Sequence, residues 1–122
     1  MTTIAVVEDN ADNRLLLQAL LADRFDLVEY DNGVDALAGL CASLPDLVLL
    51  DISLPGMDGN EILIRIRADE RLRHLPVIAL TAHAMSGDRE KYLSAGFNDY
   101  ITKPIVDETV LIGAIEHWLA AR

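Results

Sequence analysis

Three continuous apolar runs, each four residues long, constrain the fold of this chain more than any other feature of its sequence. They lie at residues 4–7, 47–50 and 77–80, and polar or turn-forming residues bound each of them. Short runs of this kind are typical of parallel strands that are covered on both faces. Two weaker segments, Phe25–Tyr30 and Tyr100–Ile101, are broken by charge or shorter, which predicts strands at the edges of the sheet.

Helical patterns separate these five segments. The first helix, capped by Asn10 or Asp12, is expected to bury Leu15, Leu16, Ala19 and Leu20, and the second to bury Val34, Leu37, Ala38 and Cys41. A third covers residues 61–66, a fourth begins at Ser86 and is closed by Gly96, and the last buries Leu111, Ala114, Ile115, Trp118 and Leu119. Five strand–helix repeats predict an α/β fold, a doubly wound five-stranded parallel sheet with helices on both faces, in one domain spanning residues 1–122.

Charge and composition narrow the function. The formal net charge of −10 argues against direct binding to nucleic acid, which needs a basic surface. It also argues against binding to an anionic membrane surface. Four arginines at positions 65, 67, 71 and 73 are expected to line a solvated helix face and the loop after it. Cys41 is the single cysteine, and its small apolar neighbours predict a buried, reduced thiol. We expect a cytoplasmic protein, because no run of membrane-spanning length occurs and the first residues leave no room for a signal peptide.

Polar residues that could bind a ligand or take part in a reaction follow four of the predicted strands. Glu8 and Asp9 follow the first, Asp51 the third, Thr81 the fourth and Lys103 the fifth. Ligands of open parallel sheets bind beyond the carboxyl ends of the strands, so these side chains are expected to converge. Taken alone, the pair at 8–9 is explained equally well as negative charge at a helix N-terminus. The agreement of four strand ends is what indicates a site.

Three clustered carboxylates repel one another unless a cation lies between them. Mg²⁺, with Mn²⁺ as a substitute, suits such oxygen ligands, and a carboxylate beside the metal can act as a nucleophile toward phosphorus. Lys103 and Thr81 are suitable partners for the oxygens of a transferred phosphoryl group. Pro55–Gly56 and Asp58–Gly59 predict a tight loop after Asp51 that could hold a backbone carbonyl near the metal.

At these residues the sequence resembles the receiver domains of two-component response regulators, the CheY-like proteins, over essentially all of its length. The matching segments are Val-Val-Glu-Asp-Asn at 6–10, Leu-Asp-Ile-Ser-Leu-Pro-Gly-Met-Asp-Gly at 50–59, Ala-Leu-Thr-Ala at 79–82 and Tyr-Ile-Thr-Lys-Pro at 100–104. Each motif is weak alone, but their order and spacing together are specific. The resemblance implies a flavodoxin-like sheet with strand order 2-1-3-4-5.

The resemblance also implies a role for each matching residue. Asp51 is the implied phosphoacceptor, and the implied Mg²⁺ ligands are Glu8, Asp9, Asp51 and the backbone carbonyl of Ser53. By the same resemblance, the phosphoryl group is contacted by Thr81 and Lys103, and the switch is formed by Thr81 and Tyr100. The resemblance further implies that His83 modulates dephosphorylation and that the Lys103–Pro104 peptide bond is cis. Glu8 stands where many relatives have Asp, so it is expected to reach the metal directly or through water. The implied function is a phosphorylation-driven signalling switch.

The implied partners are a sensor histidine kinase or histidine phosphotransfer protein, and a downstream protein target on the fourth helix, fifth strand and fifth helix. The sequence around Thr81 resembles both stand-alone single-domain regulators and receivers of hybrid histidine kinases, so a receiver excised from a larger protein stays an alternative. Two further alternatives are a haloacid-dehalogenase-type phosphatase and a degenerate, interaction-only receiver. The phosphatase needs a second Asp where this chain has Ser53, and the degenerate module needs none of Asp51, Thr81 and Lys103. We therefore expect that the protein is not an enzyme and that it catalyses only its own phosphorylation and dephosphorylation.

Overall fold

The computed structural model describes residues 2–54, 56–82, 88–103 and 107–121, with the side chains at 88 and 89 left out. Across these ranges five strands alternate with five helices. The strands are β1 Thr3–Val7, β2 Asp26–Tyr30, β3 Leu47–Asp51, β4 Val77–Thr81 and β5 Asp99–Thr102. The helices are α1 Ala11–Leu21, α2 Gly33–Ala42, α3 Gly59–Ala68, α4 Asp88–Ala95 and α5 Glu108–Ala121. The predicted α/β alternation is confirmed.

All neighbouring strands pair in parallel, in the order β2-β1-β3-β4-β5, as predicted. The register places Val7 beside Leu50, and Asp51 beside Leu80. Thr81 pairs with Thr102 at the same end of the sheet. The residues that leave β1, β3, β4 and β5 at their carboxyl ends are therefore held side by side by the backbone ladder alone.

Each face of the sheet has its own hydrophobic core, because successive side chains of a strand point to opposite faces. On one face the strand residues pack against α2 and α3, with Tyr92 and Phe97 completing the cluster. On the other face the strand residues pack against α1 and α5. The central strands β3 and β4 are buried at every position, which explains why their sequences are continuously apolar.

The predicted buried faces of α1 and α2 are largely wrong: Leu20 and Leu37 pack against the cores, but the other six predicted residues are exposed. In α1, Leu17 and Leu21 are buried, whereas Leu15 is 61% exposed. In α2 the buried residues are Gly33, Ala36 and Leu40, whereas Val34 is 65% exposed and Ala38 and Cys41 are exposed. Both helices carry apolar residues around much of their circumference, so periodicity alone fits more than one face. Packing against the sheet selects the face that is offset from the predicted one.

The last two helices agree better with the sequence. The α5 positions 111 and 115 are buried, and Ala114, Trp118 and Leu119 pack against the same core. Gly96 follows α4 with a φ of 115°, the left-handed region expected of a C′ glycine. Ser86, predicted to open this helix, lies outside the described residues.

The environments of Cys41 and Arg67 differ from the predicted ones. Cys41 is exposed, with its thiol 3.7 Å from Asp69 Oδ2, because it lies on the outer side of α2. Arg67 does not decorate a solvated face: its guanidinium is half-buried and donates hydrogen bonds to the carbonyl oxygens of Gly96, Arg73 and Leu75 and to Asn98 Oδ1. It ties the end of α3 to the segments before β4 and β5. None of the helices in the described ranges combines the length and apolarity that a membrane span requires.

Candidate functional site

A cluster of three carboxylates lies where β1 and β3 end. One oxygen each of Glu8, Asp9 and Asp51 lies within 4.8 Å of the others. Glu8 is fully buried and Asp51 is 2% exposed, whereas Asp9 faces solvent. The two buried carboxylates come from adjacent parallel strands, and Asp9 closes the open side of the cluster. The structure thus brings together the three acidic residues predicted from the sequence.

Lys103 provides the positive charge of this cluster. Its Nζ lies 3.2 Å from Glu8 Oε1 and 3.2 Å from Asp51 Oδ1. The backbone N–H of Lys103 donates to the Thr81 carbonyl at 2.7 Å, which fixes the end of β5 beside the end of β4. One ammonium therefore partly neutralises two buried carboxylates, and a net negative charge remains on the three acids.

Two residues at the start of α1, which the sequence analysis missed, hold Glu8. Asn13 Nδ2 donates to Glu8 Oε1 at 2.6 Å, and a guanidinium nitrogen of Arg14 donates to the Glu8 carbonyl at 2.8 Å. Asn10 caps the helix by accepting the Asn13 N–H, which places the Asn13 side chain over the site. Their signal in the sequence was only their place in the first turn after the acidic pair.

The other oxygen of Glu8 is left without a hydrogen-bond partner. Glu8 Oε2 is buried, and no donor within the described ranges reaches it. An unsatisfied buried carboxylate oxygen is unfavourable, and such atoms are rare unless an ion or water completes them. Three carboxylates with one orphaned oxygen form a hard-oxygen donor set of the kind Mg²⁺ prefers. The residues present fit a divalent cation.

The loop after Asp51 is held close to the acidic cluster. The Ser53 N–H donates to Asp51 Oδ1 at 3.0 Å, and the Gly59 N–H donates to the Ile52 carbonyl. A Cβ on Gly59 would lie 2.5 Å from the Asp51 carbonyl oxygen, so this position requires glycine. Asp58 caps α3 by accepting the Glu61 N–H. Asp58 and Gly59, predicted as part of a tight turn, instead begin α3 as its N-cap and first residue, and Pro55 lies outside the described residues.

Thr81 is buried at the end of β4. Its Oγ1 lies 2.9 Å from the hydroxyl of Tyr92, and the Tyr92 ring packs against Tyr100 with ring centroids 5.8 Å apart. Tyr92 was not identified from the sequence, where it reads as one more position on α4. His83 and Pro104, and with Pro104 the predicted cis peptide bond, lie outside the described residues. The metal role of the Ser53 carbonyl stays a prediction.

The ionisation of the site follows from burial and proximity. Burial, together with the adjacent Asp51 carboxylate, raises the pKa of Glu8 to about 7. Burial works to raise the pKa of Asp51 as well, but interaction with the Glu8 carboxyl, the Ser53 N–H and Lys103 outweighs it and lowers this pKa. Burial acts to lower the pKa of Lys103, and the two carboxylates reverse this and raise it. Asp51 is therefore ionised at neutral pH, and Lys103 keeps its charge.

Comparison with known proteins gives a consistent result. The family model described as "Response regulator receiver domain" matches residues 4–116. The polar-differentiation response regulator DivK of Brucella anthropi is 41% identical over 104 residues, which cover 84% of this chain and 85% of DivK. The sensor histidine kinase GacS of Pseudomonas protegens is 41% identical over 119 residues. That alignment covers 94% of this chain but only 13% of the length of GacS.

A solved structure agrees with these relatives. The receiver domain of sensor histidine kinase PA1611 from Pseudomonas aeruginosa PAO1 is 36% identical and superposes with a TM-score of 0.88, covering 98% of both chains. That crystal structure has a magnesium ion coordinated in its active-site cleft. The similarity thus extends to a receiver domain of known structure that holds the metal for which the acidic cluster of this chain is suited.

Proposed function

Because the chain belongs to the response regulator receiver family, we propose that it accepts a phosphoryl group on Asp51 and that this modification switches a protein-binding surface. Receiver domains of two-component systems are signalling domains rather than enzymes. We propose that the domain spans residues 1–122 and that a phosphohistidine on a sensor histidine kinase or a phosphotransfer protein is the donor. The observation that carries the proposal is the buried Asp51 carboxylate, 3.2 Å from the Lys103 ammonium and within 4.8 Å of two further carboxylates.

The chemistry requires little beyond positioning and charge. A carboxylate oxygen of Asp51 attacks phosphorus, the O–P bond forms, the N–P bond of the phosphohistidine breaks, and the donor imidazole leaves with the bonding pair. The lowered pKa keeps Asp51 in its nucleophilic, ionised form. Lys103 is close enough to Asp51 Oδ1 to pair with one phosphoryl oxygen, and the Thr81 hydroxyl is the proposed partner of another. Hydrolysis of the acyl phosphate by water, with His83 modulating its rate, would reset the switch.

The proposed metal ligands are Glu8, Asp9, Asp51 and the Ser53 backbone carbonyl. A bound Mg²⁺, or Mn²⁺ in its place, would supply charge stabilisation for the phosphoryl oxygens. The orphaned Glu8 Oε2 and the repulsion among the three carboxylates support this assignment. Without a cation, the phosphoryl dianion would meet three carboxylates opposed by one ammonium, which is electrostatically unfavourable.

The proposed output is a change of protein-binding surface. Thr81 would turn toward the phosphoryl group, Tyr100 would follow, and the surface formed by α4, β5 and α5 would change its affinity for a target. The net charge of −10 favours protein targets over nucleic acid or an anionic membrane. Similarity to DivK and to the receiver of GacS fits two settings, a stand-alone regulator and a domain of a larger kinase. We propose that the domain acts in the cytoplasm.

Intact-mass spectrometry after incubation with acetyl phosphate and Mg²⁺ tests the proposal. We expect one added phosphoryl group, which is absent with a chelator and absent in Asp51→Asn. Asp12→Asn is a matched control, since it removes the same charge from an exposed position in the first turn of α1, and it should be labelled like the wild type. An unlabelled wild-type protein, or label that persists in Asp51→Asn, would contradict the proposal.

The same samples distinguish the alternatives. A haloacid-dehalogenase-type phosphatase would show steady turnover of small phosphomonoesters, a reaction for which this chain has Ser53 at the position of the required acid. An interaction-only receiver would show no Mg²⁺ binding that depends on Glu8 and Asp9 in calorimetry. We expect neither result.

A further inference from the structure

The Thr81 hydroxyl is engaged by a side chain from α4. Thr81 Oγ1 lies 2.9 Å from the Tyr92 hydroxyl, and the two residues are 2% and 6% exposed. Both hydroxyls are thus removed from water and satisfy one another across the gap between β4 and α4. A buried hydrogen bond of this kind is lost only if a new partner replaces it.

The ring of Tyr92 lies between two other aromatic side chains. It makes an edge contact with Phe97, with ring centroids 6.0 Å apart and an interplanar angle of 85°. It packs against Tyr100 at 5.8 Å and 39°. Tyr92 therefore contacts both residues of the proposed switch: its hydroxyl bonds Thr81, and its ring contacts Tyr100.

We propose that Tyr92 is a positioning residue that holds the Thr81 hydroxyl in the unphosphorylated form and competes with the phosphoryl group for it. This inference rests on the proposed function, because it requires a phosphoryl group on Asp51. When the Thr81 hydroxyl turns toward the phosphoryl group and donates to one of its oxygens, it moves away from Tyr92, and the hydrogen bond between them breaks. Phosphorylation then exchanges one buried hydrogen bond of Thr81 for another.

The exchange links the site to α4. Loss of the Thr81 hydrogen bond removes one constraint on the Tyr92 ring, so the ring can shift when Thr81 leaves it. Its packing against Tyr100 passes that movement to β5, and its place on α4 passes it to the helix. Tyr92 thus opposes the phosphorylated arrangement and at the same time transmits it.

The test measures the affinity for beryllofluoride, a stable mimic of the acyl phosphate, in saturating Mg²⁺. Tyr92→Phe removes the hydroxyl and keeps the ring packing. We expect Tyr92→Phe to bind beryllofluoride about 5-fold more tightly, the equivalent of the roughly 1 kcal/mol net value of one hydrogen bond. Its affinity for Mg²⁺ alone should not change, because Tyr92 is not part of the acidic cluster.

Two controls isolate the hydrogen bond. Tyr30→Phe is the matched control: the Tyr30 hydroxyl lies over Gly39 on α2, and β2 is separated from β4 by two strands, so its affinity for beryllofluoride should equal that of the wild type. In a Thr81→Ala background, Tyr92→Phe should no longer alter the affinity, because the competing hydroxyl is gone. A chemical-denaturation curve for each variant verifies that it is folded.

The outcomes separate this inference from the function on which it rests. If the wild type does not bind beryllofluoride, or if Asp51→Asn binds it equally well, the proposed function fails. If the wild type binds but Tyr92→Phe binds equally or more weakly, the competition is refuted and Tyr92 is a packing residue or a supporter of the phosphorylated form. A 5-fold gain that persists in the Thr81→Ala background would also refute it, because the effect would not pass through Thr81.

Discussion

Lowering the pH from about 8 to about 5.5 should weaken Mg²⁺ binding roughly 30-fold, because the metal has to displace a proton from Glu8. Burial and the neighbouring Asp51 carboxylate raise the pKa of Glu8 to about 7 in the metal-free protein. At about pH 8 most molecules then have an ionised Glu8, whereas at about pH 5.5 only about one in 30 does. Apparent affinity follows that ionised fraction, and Asp51, with its lowered pKa, does not titrate in this range.

Isothermal titration calorimetry gives both the affinity and the proton count. At about pH 5.5, repeating the titration in two buffers of different ionisation enthalpy should show close to one proton released per Mg²⁺ bound. Glu8→Gln keeps the shape of the side chain but has no titrating proton, so its weaker Mg²⁺ affinity should be nearly the same at both pH values. A wild-type affinity that does not change with pH, or a Glu8→Gln variant that retains the full dependence, would refute the assignment of this proton to Glu8.

The structure supports three further predictions. The metal-free protein should lose stability as the pH rises from about 4.5 to about 7, because the raised pKa of Glu8 makes the folded state hold its proton more tightly than the unfolded chain does. Saturating Mg²⁺ should reverse this trend in urea denaturation curves. A metal-free stability that rises across this range would contradict the burial of Glu8. Arg67→Lys should lower the free energy of unfolding by about 2–3 kcal/mol, because one ammonium cannot replace a planar guanidinium that donates to three carbonyl oxygens and to Asn98. The control Arg65→Lys, on the exposed face of α3, should change this free energy by less than about 0.5 kcal/mol. Gly59→Ala should destabilise the protein by about 2 kcal/mol and slow phosphorylation by acetyl phosphate, because the added Cβ would displace the backbone at Asp51. A variant with wild-type stability and phosphorylation rate would show that this close approach is not required.

The strands and their ends could be predicted because each carried two independent signals. Continuous apolar runs identified β1, β3 and β4, and the abrupt change to Glu8, Asp51 and Thr81 marked where each run ends. Parallel pairing then brings these ends together without further information. The convergence of Glu8, Asp9, Asp51 and Lys103 follows from the strand pattern and was correctly anticipated.

The buried faces of α1 and α2 could not be predicted in the same way. Leucines at 15, 16, 17, 20 and 21 cover more than half of the circumference of α1, so several adjacent faces of this helix are compatible with burial by sequence. Which residues are buried depends on how the helix is rotated on the sheet, a tertiary property. The same reasoning explains the exposed Val34 and Cys41 on α2.

The missed residues of the site act through side-chain geometry across elements. Asn13 and Tyr92 reach Glu8 and Thr81 from neighbouring helices, and no periodic pattern encodes such a contact. Arg67 was read as a solvated charge because arginine is usually exposed, yet its five N–H donors suit a cluster of backbone carbonyls. Such contacts depend on rotamers and on the spacing between layers, which the sequence does not reveal by inspection.

The most direct test of the central claim is to locate the modified side chain chemically. After incubation with acetyl phosphate and Mg²⁺, borohydride reduction converts an acyl phosphate into the corresponding alcohol, and peptide mass spectrometry identifies its position. The arrangement of Asp51 beside Lys103, Glu8 and Asp9 predicts reduction at position 51 and at no other carboxylate. Reduction at Glu8, Asp9 or an exposed carboxylate, with Asp51 unmodified, would contradict it.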